Sequence, residues 1–133
     1  MRAVIDTNIL VSALLRAESP PAMVVRGVAT YRLTPVVCDA IMAEYRFVLP
    51  RPRLGLNHTE VAELLGLFEQ QAEWVEVPPY SGTPDLPDPS DWPFIACALA
   101  AACPVVTGNT KHLPVSTGLR VMTARECLDA AAA

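Results

Sequence analysis

Arg2-Ala3-Val4-Ile5-Asp6-Thr7-Asn8-Ile9-Leu10 is the stretch from which the fold can be worked out. Ala3-Val4-Ile5 has the composition of a short buried strand, and it stops at a carboxylate. Two small polar residues follow, and a helical apolar spacing then begins at Ile9, Leu10, Ala13 and Leu14. A strand that delivers an acid to its carboxyl end, just ahead of a helix, is how open α/β sheets place ligand-binding groups. Asp6, Thr7 and Asn8 are also all good helix caps, but a cap needs only one of them. Three in succession favour a site, provided the rest of the chain supplies partners for Asp6.

The bulk numbers narrow the classes. A chain of 133 residues is expected to form one domain over 1–133, burying about two-thirds of its unfolded surface. Hydrophobic residues make up 52% and charged residues 18%, which excludes general disorder. No apolar run reaches the length of a membrane span. Asp6 arrives too early for a secretory leader. Cys38, Cys97, Cys103 and Cys127 form no CxxC pair, and only His58 and His112 could join them. Each cysteine has apolar neighbours, so buried free thiols are expected and a cytoplasmic location with them.

The net charge of −4 has the wrong sign for a protein that grips phosphates with Lys and Arg alone. It suits one whose surplus carboxylates hold divalent cations against phosphate.

Along the chain, helical segments alternate with short strands. A helix is expected over 8–16, and a second, with Pro20 and Pro21 in its first turn, runs through Met23, Val24, Val25 and Val28. Tyr31-Arg32-Leu33-Thr34 reads as the next strand, extending toward Val37. Asp39 is the expected N-cap of a helix over 40–49 that ends before Pro50. Asn57 or Thr59 caps the next helix, whose Glu60, Glu63 and Glu69 form an ordinary solvated face. Trp74-Val75-Glu76-Val77 reads as a strand at or near a sheet edge. Residues 78–89 are a proline-rich loop. That loop leads into Asp88-Pro89-Ser90-Asp91 and then the apolar helix of Phe94, Ile95, Ala98 and Leu99, with Ser90 or Asp91 as cap. Pro104-Val105-Val106-Thr107 and Leu119-Arg120-Val121-Met122 are the last strands. Thr123-Ala124-Arg125-Glu126 is a capping box for the terminal helix. Strands separated by helices without hairpin turns imply an α/β fold: a central, mostly parallel sheet of about five strands with helices on both faces.

No nucleophile–histidine pair, GxGxxG or P-loop accompanies this pattern. Acids are spread along the chain instead: Asp6 after a strand, Glu44 within a helix, and Asp88 and Asp91 at a helix start. By its spacing alone Glu44 reads as a solvated acid or a partner of Arg51. A distributed carboxylate set is the usual donor set for Mg²⁺ or Mn²⁺, which take oxygen ligands and keep several waters.

Val4-Ile5-Asp6-Thr7-Asn8, Glu44-Tyr45 with Val48-Leu49-Pro50-Arg51-Pro52, Asp88-Pro89-Ser90-Asp91 before Phe94-Ile95-Ala96, and Val106-Thr107-Gly108-Asn109-Thr110-Lys111-His112 occur in that order. In this the chain resembles the PIN-domain ribonucleases and, among them, the VapC-like toxins of toxin–antitoxin pairs. The resemblance spans nearly the whole chain and implies a single PIN-like nuclease domain. It makes Asp6, Glu44 and Asp91 the catalytic, metal-binding acids. Asp88 becomes an additional acid, and Asn109 stands where many members carry a fourth. Thr7, Asn8 and Thr107 become supporting or substrate-positioning groups, and Lys111 and His112 candidates for substrate contact, with Arg51 and Arg53 at the rim.

The resemblance also implies a Mg²⁺- or Mn²⁺-dependent hydrolysis of RNA phosphodiester bonds leaving a 5′ phosphate and a 3′ hydroxyl. Its expected partners are RNA, a cognate antitoxin and a second copy in a homodimer or larger homo-oligomer, formed through the second and fourth helices. Two alternatives differ in class. One is a catalytically weakened PIN-like module that binds RNA or a partner, for which Asn109 speaks. The other is a phosphoacceptor receiver or phosphohydrolase-like domain, which Asn8 and the placement of Lys111 fit poorly.

Overall fold

The computed structural model describes residues 1–109 and 118–132. Strand β1 (Arg2–Ile5) leads through helices α1 (Thr7–Leu15) and α2 (Pro20–Ala29) to β2 (Thr34–Val37). Helix α3 (Asp39–Val48), a short 3-10 turn at Pro52–Leu54 and α4 (His58–Gln71) precede β3 (Glu73–Trp74). After the proline-rich loop and a second 3-10 turn (Pro89–Asp91) come α5 (Trp92–Ala101), β4 (Val105–Val106), β5 (Val121–Met122) and α6 (Ala124–Ala132).

All five strands run parallel in the order β3-β2-β1-β4-β5. β1 is therefore the centre of the sheet, with Ile5 opposite Val106. Ala3, Val4, Ile5, Val36, Val37, Val105 and Val106 are all fully buried. Consecutive strand residues point to opposite faces, so unbroken burial means that both faces are covered. The order of connection reverses between β1 and β4, which opens a crevice at their carboxyl ends. A receiver domain threads its five strands differently, in the order 2-1-3-4-5. The topology thus excludes the receiver reading.

Local chemistry explains the starts of α2, α4 and α6. Ser19 accepts a hydrogen bond from the Ala22 N–H ahead of the two prolines of α2, and Asn57 accepts from Thr59 and Glu60. Thr123 and Glu126 form the reciprocal capping box, each accepting the other's backbone N–H. Several boundaries differ from the sequence reading: α1 covers Thr7–Leu15 rather than 8–16, β3 is Glu73–Trp74 rather than 74–77, and β5 is Val121–Met122 rather than 119–122. β2 begins at Thr34 because the chain is still leaving α2 before it. Tyr31 lies in the left-handed region at φ 62°, and the N–H groups of Arg32 and Leu33 both donate to the Gly27 carbonyl. α3 begins one residue early, with Cys38 rather than Asp39 in the N-cap position.

The core is continuous across the sheet. Tyr45 of α3 meets Phe68 edge-on at 5.8 Å and Phe94 at 6.5 Å. All four cysteines are buried free thiols, as expected. Among the described residues, no helix is long and apolar enough to cross a membrane.

Candidate active site

Asp6 stands one residue beyond β1. Its backbone N–H still belongs to the sheet, donating to the Val106 carbonyl at 2.9 Å, while its carbonyl accepts from Ile9 to start α1. The side chain is not spent on capping that helix. It is held from β4 instead: the Thr107 hydroxyl donates to Asp6 Oδ2 at 2.7 Å. Thr107 is fully buried, and its Oγ1 in turn accepts the Asn109 N–H at 3.1 Å. Asn8 closes the same junction by accepting the Gly108 N–H at 3.3 Å. Two polar clusters 100 residues apart in sequence are therefore stitched together at the carboxyl edge of the sheet.

Glu44 reaches this edge from α3. The Tyr45 hydroxyl donates to the Ile5 carbonyl, and the Thr7 hydroxyl donates to Glu44 Oε2. These two bonds straddle Asp6, tying adjacent residues of α3 to the residues on either side of it. Glu44 is only half exposed, and Arg51 lies over the Phe47 ring, its guanidinium carbon 4.6 Å from the ring centre. Glu44 is thus neither a freely solvated acid nor the partner of Arg51, correcting the reading from spacing alone. Tyr45 is the residue that the sequence left without a role at the site. Its signal was a phenol on a buried helix face, since a buried tyrosine hydroxyl must find an acceptor.

Asp88 and Asp91 arrive from the loop before α5. The exposed Asp88 carboxylate accepts both the N–H and the hydroxyl of Ser90, which hold its carboxyl below the usual range. Asp91 occupies the N-cap position of α5 without a side-chain cap bond to that helix.

The charges of these acids act on one another. Burial pushes the Glu44 carboxyl above its ordinary value, the negative charges of Asp6, Asp91 and Asp88 add to that, and only the Thr7 bond opposes it. Among the described residues no ion pair involves Asp6 or Glu44; the Arg2–Glu73 and Arg46–Glu69 pairs lie elsewhere. Nor do three or more described His, Cys, Asp or Glu side chains form a ready-made metal cage. Mg²⁺ does not require one, being held through one or two carboxylates plus water and phosphate. Oxygen donors whose mutual repulsion raises a carboxyl pKa fit such a cation, because its charge would relieve that repulsion.

Hydrogen bonds therefore bring Asp6 and Glu44 to one edge, with Thr7, Asn8 and Thr107 around them, while Asp88 and Asp91 stand at the start of α5, close enough for their charge to act on Glu44. The Asn109 side chain is exposed beside this group, and its backbone supports Thr107. Lys111 and His112 lie outside the described residues.

Comparison with known proteins agrees with this geometry. The sequence model of the PIN domain matches residues 2–111, a span running from β1 through β4 and containing all of these acids. No curated protein and no solved structure matches the chain. PIN domains are typically nucleases acting on RNA or DNA, and generally use divalent metals. On its central parallel sheet and on the match over most of its length, the chain belongs to the PIN domain family.

Proposed function

We propose that the chain is a Mg²⁺- or Mn²⁺-dependent endoribonuclease and the toxin of a toxin–antitoxin pair. The observation that carries the catalytic reading is the pair of acids Asp6 and Glu44 at the carboxyl edge of the sheet, each oriented by a threonine hydroxyl, with the charges of Asp88 and Asp91 acting on Glu44.

In this reading Asp6, Glu44 and Asp91 hold the cation, with Asp88 at the rim and Asn109 a weaker, neutral oxygen donor beside them. A bound divalent ion supplies Lewis acidity, lowering the pKa of water and offsetting the charge of the phosphodiester. Thr107 and Thr7 fix one oxygen of Asp6 and one of Glu44, so that each carboxylate keeps its other oxygen for the ion. Tyr45 keeps α3, and Glu44 with it, at a set distance from the end of β1. Hydrolysis yields a 5′ phosphate and a 3′ hydroxyl.

The test uses purified protein and single-stranded RNA with Mn²⁺. Cleavage should appear, EDTA should stop it, and Asp6→Asn and Asp91→Asn should each abolish it with an unchanged circular dichroism spectrum. Full cleavage by both variants would sink the site assignment. For the toxin role, expression alone should arrest growth, and co-expression of a small DNA-binding protein encoded beside it should relieve the arrest. Homodimerisation through α2 and α4 is read by light scattering.

Asn109 favours one second reading, a weakened module that binds RNA without cutting it. Tight RNA binding with no cleavage at any Mn²⁺ concentration would select it.

A further inference from the structure

Phe47 is 70% exposed on α3. A single exposed phenylalanine is ordinary on a protein surface, so exposure alone carries nothing. Two further observations set this one apart. The first is register: Phe47 lies three residues after Glu44 and Arg51 four after Phe47, so ring and acid share one side of the helix, about 5–6 Å apart at Cβ. The second is the Arg51 guanidinium, stacked over the ring at 4.6 Å. Arg51 makes no ion pair among the described residues, whereas Arg46, on α3, is paired with Glu69 at 2.7 Å. Pro50 and Pro52 restrict the backbone on either side of the half-buried Arg51, and Arg53 adds an exposed cation.

We infer that Phe47 and Arg51 form a subsite for single-stranded nucleic acid, with one base stacked on the Phe47 ring and the adjoining phosphate on the Arg51 guanidinium. The inference rests on the nuclease reading and deepens it by naming a substrate contact. Charge complementarity selects this occupant. In a chain of net charge −4, Arg51 and Arg53 place positive charge just beyond the carboxyl end of α3, the helix that carries Glu44 and Phe47. Aromatic rings with adjacent arginines hold single strands because every base offers a π-face. Bases paired within a duplex keep those faces stacked on each other, so the subsite prefers unpaired RNA.

The test measures binding of a fluorescein-labelled short single-stranded RNA to the Asp6→Asn chain in Mg²⁺, so that no cleavage intervenes. A matched sugar–phosphate oligomer lacking bases serves as the control. Phe47→Ala should weaken RNA binding roughly fivefold to a hundredfold, leave the base-free oligomer unaffected, and be rescued by Phe47→Trp. Arg51→Ala should weaken both ligands and flatten the salt dependence. In the cleaving chain, Phe47→Ala should raise KM more than it lowers kcat.

Unchanged RNA affinity in Phe47→Ala, or equal loss for both oligomers, overturns the subsite while leaving cleavage by the parent chain, and so the nuclease reading, intact. A chain that neither binds nor cuts RNA overturns both. A change of oligomeric state in Phe47→Ala without a change in RNA affinity assigns this face to a second copy and overturns the subsite. Phe47 is mostly exposed, so its truncation leaves the core in place.

Discussion

The two ends of β1 treat the same residue type in opposite ways. At the amino end, the Arg2 guanidinium grips Glu73 of β3 with two N–H groups, one of them at 3.0 Å, and pulls that carboxyl below its ordinary value. At the carboxyl end, Glu44 receives only a hydroxyl, and burial, with the charges of nearby acids adding to it, pushes it above its ordinary value. One end neutralises its charge internally; the other leaves it to be neutralised from outside. An arrangement that holds like charges together at a cost in stability is expected where a ligand completes it.

The largest effect should come from removing the charge that the carboxyl end accumulates. Asp6→Asn or Asp91→Asn should lower Mn²⁺-dependent RNA cleavage by more than about a hundredfold, because even the supporting partners of metal ligands are worth roughly 10–100-fold in affinity. The thermal midpoint should hold or rise, since repulsion is removed. A falling midpoint would mean that these acids are structural and would erase the contrast between the two ends.

Next come the threonines that replace arginine at this end. Thr107→Val and Thr7→Val keep the shape but delete the donated hydrogen bonds. Each should weaken Mn²⁺ binding by about 10–100-fold in calorimetry. Thr7→Val should also raise the Glu44 carboxyl further in an NMR titration, because the Thr7 bond is what opposes its upward shift. Unchanged Mn²⁺ affinity in both variants would remove the hydroxyls from the site.

Tyr45→Phe tests the scaffold beneath the acids. It leaves the Ile5 carbonyl without its hydroxyl donor in a buried place, which should cost roughly 1–3 kcal/mol in urea unfolding. A neutral result would show that packing against Phe68 and Phe94 alone positions α3.

The smallest effects are in pH dependence, and they have opposite signs. A carboxyl raised on folding stabilises the fold below its ordinary value of 4.5, and that contribution is lost as pH rises through the folded pKa. Glu44→Gln should therefore raise the unfolding midpoint at neutral pH, with the gain vanishing in acid. A carboxyl lowered on folding contributes above its ordinary value of 4.5 and loses that contribution as pH falls through the folded pKa. Glu73→Gln should therefore lower the midpoint slightly at neutral pH, the more weakly because the pair is exposed and screened. Shifts of the same sign in the two variants would break the comparison.

Much of this was legible along the chain. The apolar run ending at Asp6, the prolines after Ser19, the Asn57 cap and the Thr123–Glu126 box are local signals, and each stands where its pattern placed it. Patterning starts β2 too early because Tyr31 and Leu33 look strand-like. Whether the chain has finished leaving α2 depends on hydrogen bonds back to Gly27, which apolar patterning does not encode. Glu44 was ambiguous for the same kind of reason. Its neighbours in sequence offered Arg51, while its neighbour in space is Thr7, 37 residues earlier.

Local patterning sets the alternation of strands and helices, the burial of the strands, and the acid at the end of the first. Those follow from side-chain periodicity and capping chemistry, which act over a few residues. Only the tertiary structure decided that β1 lies between β2 and β4, that Thr107 orients Asp6, and that Tyr45 and Thr7 bring Glu44 to the same edge. Hydrogen bonds and charges act through distance in space, and parallel strands become neighbours only once long segments of chain have crossed over between them.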